Sequence, residues 1–125
     1  MAQPKPNKRR SERIQVQLPV VWVRRGRRDE LQTADISHEG MFLKSDEQLD
    51  PGQLMHLEVN LPNEKPLLIF ATTRFCGRSM AGPGIGVQIY VISDHDRRRW
   101  LSFYRAMLRE RSRLGEQSSL AAAGA

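Results

Sequence analysis

The sequence LQTADISHEGMFL, residues 31–43, has the pattern of a β-strand that ends in a tight turn and is followed by a second strand. In the first strand, polar residues alternate with apolar ones, so Asp35 and Ser37 are expected on the same face. Gly40 is expected to adopt a backbone conformation that a residue with a Cβ would resist. The stretch therefore predicts a carboxylate and a hydroxyl beside a turn that a ligand can approach closely.

Further strands are predicted on both sides of this stretch. Their apolar residues alternate or form short runs rich in β-branched side chains, and turn residues such as Asp50-Pro51-Gly52 separate them. The glycine-rich segment 77–84 is expected to be a turn. The predicted strands are residues 14–23, 31–37, 41–43, 55–61, 67–75 and 85–92. About six short antiparallel strands follow from this pattern, and alternation alone permits either a closed barrel or a sandwich.

A helix is predicted from Asp94, where the spacing of apolar residues becomes helical. Ser93 and Asp96 are placed to cap its first turn. Trp100 and Tyr104 belong to an apolar stripe that is expected to pack across the barrel, with arginines mostly on the opposite side. Residues 113–125 are mostly small and polar, which predicts a disordered tail.

Composition indicates one soluble globular domain with anionic partners. The chain has 125 residues and a net charge of +6, with sixteen arginines and four lysines. The single cysteine, Cys76, excludes an internal disulfide and is expected to be a small buried residue. The start of the chain lacks the apolar core of a signal peptide, and no apolar run is long enough to span a bilayer. The cytoplasm is therefore the expected location.

A basic run, KRRSER at residues 8–13, follows an arm at residues 1–7 that is expected to be flexible. Alone, such a run is typical of a solvated tail. Arginines can hold phosphate oxygens through paired hydrogen bonds and can stack on a base, while a carboxylate suits the N–H donors of guanine. A site that combines the run with the acid at Asp35 should favour a guanine nucleotide.

Two motifs carry a resemblance to a known family. Arg9 and Arg13 form R-x-x-x-R, and Asp35, Ser37 and Gly40 form D-x-S-x-x-G. In order and separation they resemble the PilZ domain, the bacterial receptor for cyclic di-GMP, and the similarity extends from about residue 8 to about residue 108. The resemblance implies a mainly β fold, a six-stranded antiparallel β-barrel with a C-terminal α-helix. It divides the chain into an arm at 1–7, a stand-alone domain at 8–112 and a tail at 113–125.

The resemblance also implies roles for these residues. Arg9 and Arg13 would hold the phosphates and stack on or bond to guanine. Asp35 and Ser37 would hold a guanine base and ribose, and Gly40 would keep the turn open. Cyclic di-GMP would be the ligand, with no other cofactor and no metal.

Other basic residues are secondary candidates. Lys8 and Arg10 would add charge to the ligand site, and Lys8 stands where family members often have arginine, which leaves one or two ligands per chain open. Arg74 and Arg78, on or after the fifth strand, could reach the ligand. Ordering of the arm on binding would create a new surface for a protein partner in the control of motility, pili or polysaccharide.

Two alternatives remain. A nucleic-acid-binding barrel would use the Arg24–Arg28 turn and the basic side of the helix, although acids at Asp35 and Glu39 count against it. An enzyme is not expected: the three histidines, His38, His56 and His95, lack metal-site spacing, and Cys76 has no histidine nearby in sequence. The glycines at 82–86 precede a strand, which excludes the usual phosphate-binding loop.

Overall fold

The computed structural model describes residues 12–124, with side chains described for residues 12–114. Six antiparallel strands close into a barrel in the order β1-β2-β3-β6-β5-β4, and one helix follows them. The fold class predicted from the sequence is confirmed. The elements are β1 Pro19–Arg24, β2 Arg27–Ile36, β3 Gly40–Lys44, β4 Leu54–Val59, β5 Leu67–Ser79, β6 Gly82–Ile92 and α1 Asp94–Gly124.

The barrel is filled by the inward residues of its alternating strands. Ile36, Leu57, Ile69 and Ile85 come from four different strands and are completely buried. Each such side chain contributes about 1.5–3 kcal/mol relative to an exposed one. Closure also pairs the barrel's own strand edges, so the outward residues of each strand are left to form surface sites.

The segment before β1 is fastened to β2, although it is not a continuous strand. Ile14 and Ile36 exchange two backbone hydrogen bonds of 2.9 Å each, as an isolated bridge. The buried Thr33 hydroxyl accepts a hydrogen bond from the Leu18 amide at 2.8 Å and donates one to the Val16 carbonyl at 2.5 Å. The segment 14–18 therefore lies along β2 and fixes where residue 13 enters the fold.

Strands β5 and β6 form the longest hairpin of the barrel. Their pairing continues to Ser79 and Gly82, so the chain turns at residues 80–81, within the predicted segment 77–84, and both strands extend further into that segment than expected. Two register shifts interrupt the ladder. One leaves Arg74 of β5 without an opposite residue, and the other leaves Tyr90 of β6 without one.

The helix begins as the sequence predicts. The Ser93 hydroxyl accepts a hydrogen bond from the Asp96 amide at 3.1 Å, and Trp100 and Tyr104 are buried against the barrel. The helix continues to Gly124, whereas disorder was expected from residue 113. Three consecutive alanines and the absence of proline in this part of the sequence favour helix. The division of the chain at 8–112 stays a prediction. Among the described residues, no helix carries an apolar stretch long enough to cross a membrane.

Candidate ligand-binding site

The last residue of the basic run and the first residue of the turn motif meet in space. Arg13 Nε donates a hydrogen bond to Asp35 Oδ1 at 2.7 Å. The Arg13 side chain is about half exposed, while the Asp35 side chain is mostly covered. This contact follows from the bridge between Ile14 and Ile36, which places the preceding residue beside the end of β2. Two motifs that lie 22 residues apart in sequence thus share one surface.

Ser37 closes the turn between β2 and β3. Its hydroxyl oxygen accepts hydrogen bonds from the Gly40 amide at 3.1 Å and the Glu39 amide at 3.3 Å, and the residue is 2% exposed. The Ser37 amide also donates to the Gly40 carbonyl at 2.9 Å. The hydroxyl therefore shapes the turn, and only a small part of it faces the surface.

Gly40 is required for a different reason from the one predicted. It is not among the glycines with positive φ, and it is the first residue of β3, paired with Gln88 of β6. A Cβ at this position would lie 2.1 Å from the carbonyl oxygen of Val87. The glycine is thus explained by the close approach of the β6 backbone, and the expectation of an unusual backbone conformation was wrong.

A cavity of about 290 Å³ opens beside this turn. Arg13 and Ser37 line one side of it, and β5 and β6 supply the other. The residues that give the cavity its chemistry are Arg13, Ser37, Glu39, Arg74, Phe75 and Gln88. Arg78 lies farther along the hairpin, opposite Pro83, and is not among the lining residues.

Phe75 supplies an aromatic surface that the sequence analysis did not identify. Its ring is half exposed, stacks on Phe42 with 6.0 Å between centroids, and covers Gly86. A Cβ on Gly86 would lie 2.3 Å from that ring, so a glycine is needed opposite it. The register shift at Arg74 breaks the simple alternation of β5, which is why counting along the strand did not place Phe75 in the site.

Arg74 adds a second guanidinium group to the cavity. Its Nη1 donates a hydrogen bond to Gln88 Oε1 at 2.6 Å, and it forms no ion pair within residues 12–114. Arg13, by contrast, is partly neutralised by Asp35. The cavity therefore combines two guanidinium groups that can hold an anion with a half-exposed aromatic face that can stack on a planar ring.

The family model of the PilZ domain matches residues 7–106. The chain belongs to the PilZ domain family. The match includes both motifs and everything from the basic run to the middle of α1, so the resemblance seen in the sequence is confirmed. Among curated proteins, the search found no match for the chain.

Solved structures with the same fold include three PilZ proteins or domains. YcgR from Escherichia coli in complex with c-di-GMP aligns with a TM-score of 0.71 and 17% identity, over 88% of this chain and 50% of that one. The inhibitor of motility MotI/DgrA from Bacillus subtilis aligns with a TM-score of 0.69 and 17% identity, over 87% of this chain and 54% of that one. The PilZ domain of YcgR from Escherichia coli with c-di-GMP aligns with a TM-score of 0.66 and 16% identity, over 87% of this chain and 98% of that one. The chain spans about half the length of the first two, and at these identities the similarity shows the fold.

In this PilZ domain, helix α1 holds both parts of the site in place. The Trp100 indole N–H donates to the His38 carbonyl in the turn at 3.2 Å. The Tyr104 hydroxyl donates to the Glu12 carbonyl at 2.5 Å, and Arg111 donates to the Arg13 carbonyl at 3.1 Å. Arg111 also forms an ion pair with the Glu12 side chain.

Tyr104 is neutral at physiological pH in this environment. Burial raises its pKa above the usual value of 10.0, while the positive charge of Arg13 acts in the opposite direction with a smaller effect. A neutral hydroxyl keeps the donor that Glu12 requires. The helix of the PilZ domain therefore positions the Arg13 backbone, even though it contributes no side chain to the cavity.

The remaining predicted site residues of this PilZ domain are Lys8, Arg9 and Arg10, and they lie outside the described residues. Within residues 12–114, no group of three or more His, Cys, Asp or Glu side chains is arranged to hold a metal ion. Cys76 is partly buried, and its thiol accepts a hydrogen bond from the Leu49 amide at 3.2 Å.

Proposed function

We propose that this PilZ domain is a receptor for cyclic di-GMP, located in the cytoplasm, that acts by binding and not by catalysis. The observation that carries the proposal is the meeting of Arg13 with the Asp35 turn beside one cavity. Family membership supports it, as do solved structures of similar fold that contain c-di-GMP. The ligand chemistry suits the cavity, because cyclic di-GMP combines two phosphodiesters with two planar guanines.

Asp35 does not itself line the cavity but is held beside it by Arg13, and Asp35 and the lining residues each have a proposed task. The Asp35 carboxylate accepts hydrogen bonds from the N–H groups on the guanine Watson–Crick edge. Arg13 and Arg74 bind phosphate oxygens, and the half-exposed Phe75 ring lies against a base. To bind in this way, the ligand must replace the contact between Arg13 and Asp35. That exposed pair contributes at most about 1 kcal/mol, while each charge-assisted hydrogen bond to the ligand contributes about 1.5–3 kcal/mol, so the exchange favours binding.

The basic arm completes the site in this proposal. A cavity of about 290 Å³ lies at the lower end of the usual range for ligand pockets, so a dinucleotide would extend beyond it. Arg9 precedes Arg13 by four residues, and an extended chain of that length reaches about 14 Å. This reach lets Arg9, with Lys8 and Arg10, close over the exposed part of the ligand. Ordering of the arm would then present a new surface to a protein partner.

The nucleic-acid alternative is weakened by the charges around the first hairpin. Three of its four arginines contact acids, so this hairpin has little positive charge left for a phosphate backbone. The pairs are Arg24 with Asp29 at 3.1 Å, Arg24 with Glu47 at 2.8 Å, Arg27 with Asp29 at 3.0 Å and Arg28 with Glu58 at 2.6 Å. The Arg24 guanidinium group also stacks on the Trp22 ring, with 3.7 Å between Cζ and the ring centroid, so its flat face is not free to stack on a base.

A thermal-shift titration tests the proposed function. Cyclic di-GMP should raise the melting temperature with increasing concentration, because it binds the folded state alone, whereas cyclic di-AMP and GTP should have much smaller effects. Arg9→Ala, Arg13→Ala and Asp35→Ala should each weaken binding by about ten- to a hundredfold in calorimetry. Unchanged affinity in all three variants would falsify the assignment. Steep loss of binding to arbitrary DNA with added salt would instead favour the nucleic-acid alternative.

A further inference from the structure

The two register shifts between β5 and β6 present two unpaired residues to the same surface. Arg74 and Tyr90 each lack an opposite residue in the ladder, and both line one depression of about 600 Å³ on the outside of the barrel. Bulges of this kind redirect side chains and are common beside functional sites. Arg74 faces the candidate nucleotide cavity as well, but Tyr90 does not line it.

Exposed apolar side chains lie with Tyr90 on the outer face of β4, β5 and β6. They are between 40% and 66% exposed, and none of them is needed inside the barrel. We call this the β4–β6 face; its members are Leu54, Leu68, Phe70, Tyr90 and Val91. Phe70 is further held by stacking on His56, with 4.7 Å between ring centroids. The face presents on the order of 500 Å² of apolar surface, the size of patch that is often functional on a monomer.

The charges on this face select the type of partner. The acid within it, Glu58, is held by Arg28 at 2.6 Å, which leaves its charge compensated. Arg74 is the charged residue among those that line the depression, and it forms no ion pair within residues 12–114, so the depression presents an uncompensated positive charge. A partner with apolar anchors and a neighbouring carboxylate therefore fits both features.

A second copy of this chain fits less well. Stable symmetric dimers bury about 800 Å² of total surface on each partner, of which about 450–520 Å² is apolar, so area alone does not decide against a dimer. A two-fold contact centred on the depression would bring Arg74 close to its own symmetry copy. The charge of Arg74 therefore disfavours a second copy and favours a partner segment that carries a carboxylate.

We propose that the β4–β6 face docks an acidic segment of a partner protein that carries apolar anchors, with Phe70 and Tyr90 as the apolar contacts and Arg74 as the charged one. One consequence of this inference, the effect of bound nucleotide on docking, rests on the proposed function. Arg74 and Gln88 line both the nucleotide cavity and the depression beside Tyr90. A nucleotide phosphate that binds Arg74 neutralises the charge that attracts the segment. Bound cyclic di-GMP should weaken docking by about two- to fivefold, and the segment should weaken nucleotide binding by the same factor.

The experiment uses a random short-peptide display library on the full chain without nucleotide. Selected peptides should be enriched in Asp or Glu next to Leu, Phe or Trp. Tyr90→Ser and Phe70→Ser, both at exposed positions, should each weaken the binding of a selected synthetic peptide by about tenfold or more. Arg74→Gln should weaken it by about two- to fivefold. Amide chemical shifts on adding the peptide should change along β4, β5 and β6.

The controls separate this inference from the nucleotide proposal. Tyr90→Ser and Phe70→Ser should keep the affinity for cyclic di-GMP within about twofold, since neither residue lines that cavity. If cyclic di-GMP fails to bind while the peptide results hold, the proposed function fails and the docking face stands. Four outcomes would each overturn the docking proposal. The library could select basic peptides, or Tyr90→Ser could bind the peptide as tightly as the wild type does. The chemical-shift changes could map to another part of the domain, or the chain could self-associate through this face. Direct contact between cyclic di-GMP and Tyr90 would also overturn it.

Discussion

Replacing Asp35 with asparagine tests the reading of guanine most directly. The amide keeps the size of the side chain and removes its charge and one acceptor for the guanine N–H groups. Without nucleotide, the variant loses the ion pair between Asp35 and Arg13. In that pair the Arg13 side chain is 47% exposed and the Asp35 side chain is 21% exposed. A pair this exposed contributes at most about 1 kcal/mol, so the folded state should survive the change with little loss of stability.

Two opposing effects determine the affinity of the Asp35→Asn variant. Loss of charge-assisted hydrogen bonds to guanine costs about 1.5–3 kcal/mol. The ligand no longer has to separate Arg13 from Asp35, which returns up to about 1 kcal/mol. The base contact is the larger effect and, after the full return, leaves a net loss of about 0.5–2 kcal/mol, or a two- to thirtyfold higher Kd. The preference for cyclic di-GMP over cyclic di-AMP should narrow as well.

Isothermal titration calorimetry measures both quantities, and Asp46→Asn is the matched control. Asp46 is exposed and, unlike Asp35, forms no ion pair with a residue that lines the cavity, so its replacement changes the net charge by the same amount without touching the site. Melting temperatures of both variants show that they are folded. If Asp35→Asn binds cyclic di-GMP as tightly as Asp46→Asn does, then Asp35 does not read the base, and the assignment of the turn must be abandoned.

Three further predictions follow from the packing around the site. Gly40→Ala should lower the melting temperature by about 5–15 °C and weaken nucleotide binding, because its Cβ would lie 2.1 Å from the Val87 carbonyl. The control is Gly77→Ala, where the nearest atom to the new Cβ is 3.5 Å away and the variant should behave like the wild type. Equal melting temperatures of the two variants would refute the reasoning. Tyr104→Phe loses the hydrogen bond to Glu12 and should weaken cyclic di-GMP binding about two- to tenfold in calorimetry; unchanged affinity would show that the helix does not position Arg13. Tyr90→Phe leaves Tyr104 as the only tyrosine, and ultraviolet titration of this variant should show Tyr104 ionising above pH 10.0. The stability that comes from neutral Tyr104 is therefore full below pH 10.0 and is lost as pH rises through the pKa of the folded state. Ionisation at or below pH 10.0 would contradict this prediction.

The local elements were readable from sequence because each depends on short-range patterns. The alternation that ends at Ser37, the β-branched runs and the helical spacing after Asp94 predicted the strands and the start of the helix. The proximity of Arg13 to Asp35 came from the family resemblance alone. In the structure it depends on the bridge between Ile14 and Ile36, which no local pattern announces.

What the sequence missed depends on contacts between distant strands. Phe75 enters the cavity because a register shift at Arg74 alters the alternation of β5, and such a shift leaves no mark in composition. Gln88 enters it because β6 pairs with β3 and places Gln88 opposite Gly40. Gly40 was recognised as necessary, but its reason lies in the β6 backbone at Val87, which only tertiary structure reveals. The extent of α1 was underestimated, since small and polar residues in its last turns are also typical of disorder.

The hydrogen bonds from Tyr104 to Glu12 and from Arg111 to Arg13 join residues that are 92 and 98 positions apart in sequence. Contacts of such separation form late, and during synthesis they cannot form until the C-terminal part has left the ribosome. A nascent chain can therefore assemble the barrel strands while its receptor site is still unfinished. If the proposed function holds, nucleotide binding would therefore require synthesis at least through Arg111.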